Sequence, residues 1–166
     1  DLGVEWKGID FSMFWQGVAK RDLWLDGPMF WGISGGEWQS TGLKEHLDYY
    51  RPENTTSVFG PNTNAYFPKM YMSKDMNQKV QTRYLQNGAY ARLKNIQLGY
   101  TFPTQIINKL HMQKLRVYVS AENVLTITSL PSGFDPETTY SSYSDGNSGK
   151  TYPLQTTISF GLHATF

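Results

Sequence analysis

The sequence predicts an all-β fold, a set of antiparallel strands from a transmembrane β-barrel, of which this chain supplies about five. Three observations point there. Several segments alternate apolar and polar residues with period two, the signature of a strand with different surroundings on its two faces. The connections between these segments alternate between tight and very long. Aromatic residues make up 15% of the 166 residues while charged residues make up only 17%, against about a quarter in an ordinary soluble domain.

Taken in order, the first element is a hairpin. Residues 1–7 and 9–18 form two strands if Lys7-Gly8 is a two-residue turn. Trp6 then faces Ile9, Val4 faces Phe11 and Leu2 faces Met13, which gathers six apolar residues on one side. The third strand, 88–102, alternates most cleanly toward its end, where Ile96, Leu98, Tyr100 and Phe102 oppose Asn95, Gln97, Gly99 and Thr101, and Pro103 stops it. The fourth, 114–124, sets Leu115, Val117, Val119 and Ala121 against Arg116, Tyr118, Ser120 and Glu122. The fifth, 154–166, is the clearest: Leu154, Ile158, Phe160, Leu162, Ala164 and Phe166 share one parity with Thr156, and the other parity is polar or Gly throughout. Tilted near 45° and rising about 3.3 Å per residue, this strand climbs about 30 Å, the thickness of a bilayer core.

Between the strands come the tight Lys7-Gly8, a long segment of about 19–87, a short one of 103–113 with one helical turn at 104–110, and a long Gly/Ser/Pro-rich one of about 126–153. Short periplasmic turns and long extracellular loops are the pattern of outer-membrane barrels. The long loops are therefore expected outside and the C-terminus in the periplasm. Five strands fall short of the roughly eight needed to close the smallest such barrel. The chain also opens without an initiator Met and without a secretory leader, in what reads as mid-strand, so further strands are expected before Asp1.

Composition narrows the chemistry. With no cysteine, thiolate metal sites, disulfides and cysteine nucleophiles are excluded. A net charge of +1 gives no support to a nucleic-acid partner. The three histidines, His46, His111 and His163, have no ligand spacing, so no metal or cofactor is expected. Asp145-Gly146-Asn147 lacks the remaining acids of a calcium loop and reads as a flexible turn. Asp135-Pro136-Glu137 reads as loop architecture. With no nucleophile, base or carboxylate pair in a defined setting, no catalytic residue is assigned and the chain is not expected to be an enzyme.

Four stretches in sequence order resemble the C-terminal end of the SusC-like family of TonB-dependent transporters: NGAYARLKNIQLGYTFP (87–103), LRVYVSAENVLTIT (115–128), GFDPE (133–137) and YPLQTTISFGLHATF (152–166). IDFSMFWQGV (9–18) is similar to a strand of that family. The resemblance implies a barrel of about 22 strands with an internal plug. It implies energy from TonB through a region absent from this sequence, a SusD-like surface lipoprotein as partner, outer-membrane lipid around the wall, and a glycan or peptide as substrate. The second reading is a secreted soluble β-sandwich carbohydrate-binding module. Strands this long, and connections of alternating length, count against it.

Candidate functional residues follow. The long loop carries Trp24, Trp31, Trp38, Tyr49, Tyr50, Tyr66 and Tyr71, aromatics that could contact substrate or lid, although packing of the loop's own core is the plainer expectation for each. His46 and Asp48 are expected on a solvated helix-like face. Glu5, Lys7, Arg116 and Glu122 fall on the lumen side, to pair with a plug or stay hydrated. Trp6, Phe102 and Phe166 fall at the periplasmic end of the lipid face, as girdle aromatics. Phe166 is also expected to act as an assembly signal. If so, Phe166→Ala in the full-length protein lowers its outer-membrane level far more than Phe102→Ala does. Equal, mild losses at both would leave each worth only about 1.5–3 kcal/mol of ring burial.

Overall fold

Lys7 and Gly8 adopt positive φ, 47° and 86°, at the two centres of a tight hairpin turn whose twist matches that of the strands it joins. The strands are β1 (Leu2–Trp6) and β2 (Ile9–Val18), with Trp6 opposite Ile9, Val4 opposite Phe11 and Leu2 opposite Met13. The computed structural model describes residues 1–35, 41–71, 75–139 and 149–166. The other strands, in chain order, are β3 (Asp22–Trp24), β4 (Leu85–Asn87), β5 (Tyr90–Thr101), β6 (Lys114–Thr128) and β7 (Thr157–Thr165). Among the described residues no helix is long and apolar enough to cross a membrane, which leaves crossing by strands untouched.

The chain divides into two units. The first holds one five-stranded antiparallel sheet in the order β1-β2-β5-β6-β7. Its registers run apolar residues across all five strands in three rows. They are Leu2, Met13, Ile96, Ala121 and Ile158; Val4, Phe11, Leu98, Val119 and Phe160; and Trp6, Ile9, Tyr100, Val117 and Leu162. The rows between them are polar or Gly, as in Gly3, Ser12, Gln97, Ser120 and Ser159. The face is not the inside of a sandwich: Phe160 is 84% and Leu162 68% exposed. It is an uncovered apolar wall, as a lipid-facing surface must be.

The clean alternation of β5 fails near its start because the register shifts there. Leu93 stands opposite Trp15 and Asn95 opposite Phe14, so Lys94 is the extra residue. Against β6, Leu93 meets Leu125 and Asn95 meets Glu122, and Asn123 takes a positive φ of 52° to absorb the difference. Such a bulge reverses the parity of everything beyond it. At the other end of the sheet β5 stops at Pro103, and a turn of helix (α2, Thr104–Ile107; α1 is Pro28–Trp31 in the long loop) returns the chain to β6. Phe102 N–H donates to Leu115 O at 2.9 Å and Gln113 N–H to Thr165 O at 2.8 Å, which keeps this rim paired. Both long connections leave from the opposite end. β6 runs on to Thr128, beyond the expected 124, and β7 starts only at Thr157.

The second unit comprises 22–87 and 130–153. β3 and β4 form a two-stranded ladder, Leu23 opposite Gln86. Its core is Leu25, Phe30, Trp31, Phe67 and Tyr84.

The facing of the sheet predicts asymmetric tolerance of charge. Phe160→Arg, on the middle apolar row, is expected to cost the full-length barrel about 2–4 kcal/mol, and Ser159→Arg, one residue away, close to nothing. Urea unfolding of the barrel in detergent measures both, and equal effects would sink the assignment of the faces.

Candidate functional site

On the polar face, the row Glu5, Asp10, Gly99, Tyr118 and Gly161 runs across the sheet. Arg116 comes from the next rung of β6. Its Nε donates to Asp10 Oδ1 at 2.9 Å and its Nη2 to the other carboxylate oxygen, a two-point salt bridge. The bridge spans β5 directly above Gly99. A Cβ at Gly99 would lie 2.5 Å from Arg116 Nη2 and from Asp10 Oδ1, so glycine is what lets the pair meet. The Arg116 guanidinium also lies 4.9 Å from the Tyr118 ring centre, and that ring covers Gly161 closely enough to leave no space for a Cβ. Arg116, Asp10 and Tyr118 therefore lie flat along the sheet.

Beside them is a polar cleft of about 660 Å³ bordered by Glu5, Lys7, Asp10, Lys114 and Arg116. The structure thus brings together three of the four charges assigned to the lumen. Lys7 belongs to the rim rather than the polar face, because a turn residue does not alternate, and its ammonium sits 4.8 Å above the Trp6 ring. Glu122 stands apart, six residues along β6 and about 20 Å away, opposite Asn95 and Thr157. Asp10 was not singled out from the sequence. The signal for it is a glycine in a polar strand position with an acid and a base on the strands either side.

In the second unit, the expected solvated face holds for Asp48, which is exposed, but not for His46, which is buried as a structural hub. His46, in a 3₁₀ turn (Lys44–Leu47), is 3% exposed. Its Nδ1 accepts from Leu43 N–H at 2.8 Å, so Nε2 carries the proton and donates to Phe30 O at 3.0 Å. Gly32, at φ 58°, makes room for the ring, since a Cβ there would stand 2.7 Å from Nδ1. The Asp48 carboxylate accepts from Asn62 Nδ2 at 2.8 Å and from Tyr66 N–H at 3.2 Å. Asp135 Oδ1 accepts from Glu137 N–H at 2.8 Å, the loop role expected of that acid.

The loop aromatics separate by burial. Trp31 is 2% exposed, edge-on to Phe30 and Tyr84, with its indole N–H on Asp26 Oδ1 at 3.1 Å; it builds the core and offers no contact surface. Trp24, Tyr49 and Tyr66 are half-buried against that core. Burial pushes the Tyr84 hydroxyl above its ordinary pKa, and it donates to Tyr66 O at 3.1 Å. Tyr50 and Tyr71 remain open at 40% and 46% exposure. Trp38 and Asp145-Gly146-Asn147 lie outside the described residues.

No protein-family model matches the chain. The chain is 34% identical over 98% of its length to TonB-dependent receptor P3 of Formosa agariphila, and 24% identical over 98% to TonB-dependent receptor P26 of the same organism. Its fold matches the RagAB peptide importer in the 'closed-closed' state over 99% of its length, with TM-score 0.64 and 25% identity. The chain belongs to the SusC-like TonB-dependent transporters. It spans about 15% of the length of the P3 receptor and 16% of the importer chain. The same fold recurs in the 'open-open' state of RagAB at TM-score 0.62 and 23% identity.

The sheet has the apolar face and the polar face that the two sides of an outer-membrane barrel wall require. Trp6, Phe102 and Phe166 come out at one end of the apolar face, beside the hairpin turn and the rim bonds of α2; Trp6 is 64% and Phe166 78% exposed. The Asp10–Arg116 bridge stays partly open to solvent, with side-chain exposures of 25% and 20%. A double-mutant cycle of Asp10→Asn and Arg116→Gln is expected to give a coupling of about 0.5–1 kcal/mol in barrel unfolding. Gly99→Val should abolish that coupling by forcing the pair apart. A coupling that survives Gly99→Val would show that the two groups meet by another route.

Proposed function

We propose that this chain forms wall and outer loops of an importer that carries a glycan or peptide through the outer membrane with energy supplied by TonB. One observation carries the reading: five strands whose rungs are apolar on one face and polar on the other, in a chain related over nearly its full length to TonB-dependent receptors. The plug and the TonB-contacting segment belong to parts of the protein outside this sequence. The RagAB relative is a peptide importer, which supports peptide as one substrate class beside glycan. The two long connections leave the sheet at the end away from the Lys7-Gly8 turn, and in this reading that end is extracellular. There they meet substrate and a SusD-like lipoprotein lid through aromatics the core leaves open, Tyr50 and Tyr71 among them.

Cells expressing the full-length transporter are expected to accumulate labelled oligosaccharide or peptide only when TonB is present. Tyr50→Ala with Tyr71→Ala should reduce uptake or lipoprotein association by about tenfold at unchanged barrel level, the loss of an aromatic anchor pair. Trp31→Ala should instead lower the amount of folded protein, costing about 3–5 kcal/mol of core packing. Uptake that is indifferent to TonB would end the proposal.

A further inference from the structure

We propose that the long-loop unit contains a carboxylate-binding cleft that reads acidic groups on the imported ligand; the inference rests on the import reading above. The cleft has a volume of about 460 Å³. One wall comes from 50–69, supplying Tyr50, Thr63 and Lys69, and the other from 77–84, supplying Asn77, Gln81 and Arg83.

Both walls are held in place. The first is a folded-back strand pair, with Tyr50 N–H on Phe67 O at 3.0 Å and Arg51 paired with Asn62 in both directions. Asp48 and the buried Arg51 brace it from behind, the latter through Gly60 O at 2.6 Å and Leu47 O at 2.8 Å. The second wall is tied to the first by Arg83, whose Nη2 donates to Ala65 O at 2.6 Å and whose Nε donates to Tyr66 O at 3.3 Å. Gln81 is fixed through Nε2 to Asn77 O at 3.0 Å.

The electrostatics follow. Among the described residues no acid lines the cleft, while two cations do. Among the described residues, the hydrogen bonds of Arg83 go to backbone carbonyls, which orient its guanidinium without neutralising it, and the guanidinium carbon lies 5.8 Å from the Tyr84 ring centre. The exposed Lys69 ammonium rests 5.2 Å from the Tyr71 ring. The remaining Nη1 donors of Arg83 and the Lys69 ammonium at one opening favour a carboxylate, the first by a charge-assisted hydrogen bond and the second by attraction. Amide groups at Asn77 and Gln81 and the open ring of Tyr50 serve the uncharged neighbouring parts of the same ligand. Acidic side chains of a peptide and uronic acids of a glycan both present this group.

The test uses full-length transporter in detergent and two matched pairs of probes: hexaglutamate against hexaglutamine, and trigalacturonate against its neutral galactose trimer. The acidic member of one pair is expected to bind about tenfold tighter than its neutral match, with a preference that shrinks as salt rises. The pair that responds identifies peptide or glycan as the source. Lys69→Gln should cut the preference about fivefold and leave the neutral probe unchanged, while Lys69→Arg retains it. No preference in either pair, or one untouched by Lys69→Gln, overturns the inference. Uptake of the same probes by cells with and without TonB keeps the readings apart. Import without acid preference removes only the cleft, and Lys69-dependent binding without TonB-dependent uptake removes only the import reading.

Discussion

In hydrocarbon a strand has no water to satisfy its N–H and C=O groups, so each must find a partner on the neighbouring strand, and the register of that pairing governs everything else in the sheet. A slip of one residue between β6 and β7 would send Phe160, Leu162 and Ile158 to the lumen and Ser159 and His163 into lipid. The chain pins register where strands are joined most closely. The Lys7-Gly8 turn admits one pairing of β1 with β2, and Pro103 with the short α2 admits little slack between β5 and β6. The long connections at the other end pin nothing, and it is toward that end that the bulge at Lys94 lies. Irregularity is thus placed where loops can absorb it.

The polar face has its own constraint, which is space. A lumen wall whose long side chains stood upright would narrow the passage they line. Here glycines in the polar rows take side chains from neighbouring strands: Gly99 lies under the Asp10–Arg116 bridge and Gly161 under the Tyr118 ring. The bridge ties β2 to β6 across β5 without a backbone bond between them, and it neutralises both charges close to the wall. Its contribution to stability is modest because lumen water screens it. Its larger consequence is geometric, since it leaves Glu5, Lys7 and Lys114 as the other charges bordering the adjacent cleft.

How much could be read from the sequence depends on which physical signal wrote each feature. The hairpin register and the three apolar rows were legible because lipid on one side and water on the other impose period two on every strand. The start of β5 was not, because a bulge at Lys94 and a left-handed Asn123 break parity without a characteristic residue type. The Asp10–Arg116 pair was half legible. Arg116 was visible as a lumen charge, but its partner lies 106 residues away in sequence and two strands across. In the long loop, composition showed many aromatics but could not divide them, since Trp31 in a core and Tyr50 on a surface look alike without packing partners. His46 was read as solvated because a Lys-Glu-His run resembles a helix face, whereas burial of its ring between Phe30 O and Leu43 N–H comes from tertiary structure alone.

That division of labour in the loop bears on what recognition there can be. The aromatics mostly fill: Phe30, Trp31, Phe67 and Tyr84 stack edge-on into a small core that the loop makes for itself. The polar residues order: His46, Asp48 and Arg51 each bind backbone groups distant in sequence, and so fix loops that lack regular secondary structure. A ring committed to the core is lost to a ligand, so a count of aromatics overstates the contact surface. Part of what remains outside is held in place by the ordering residues, including Tyr50 and the two cations beside it. Such a surface discriminates by charge and by one flat face more than by buried area, and it does so with a backbone already in place before a ligand arrives.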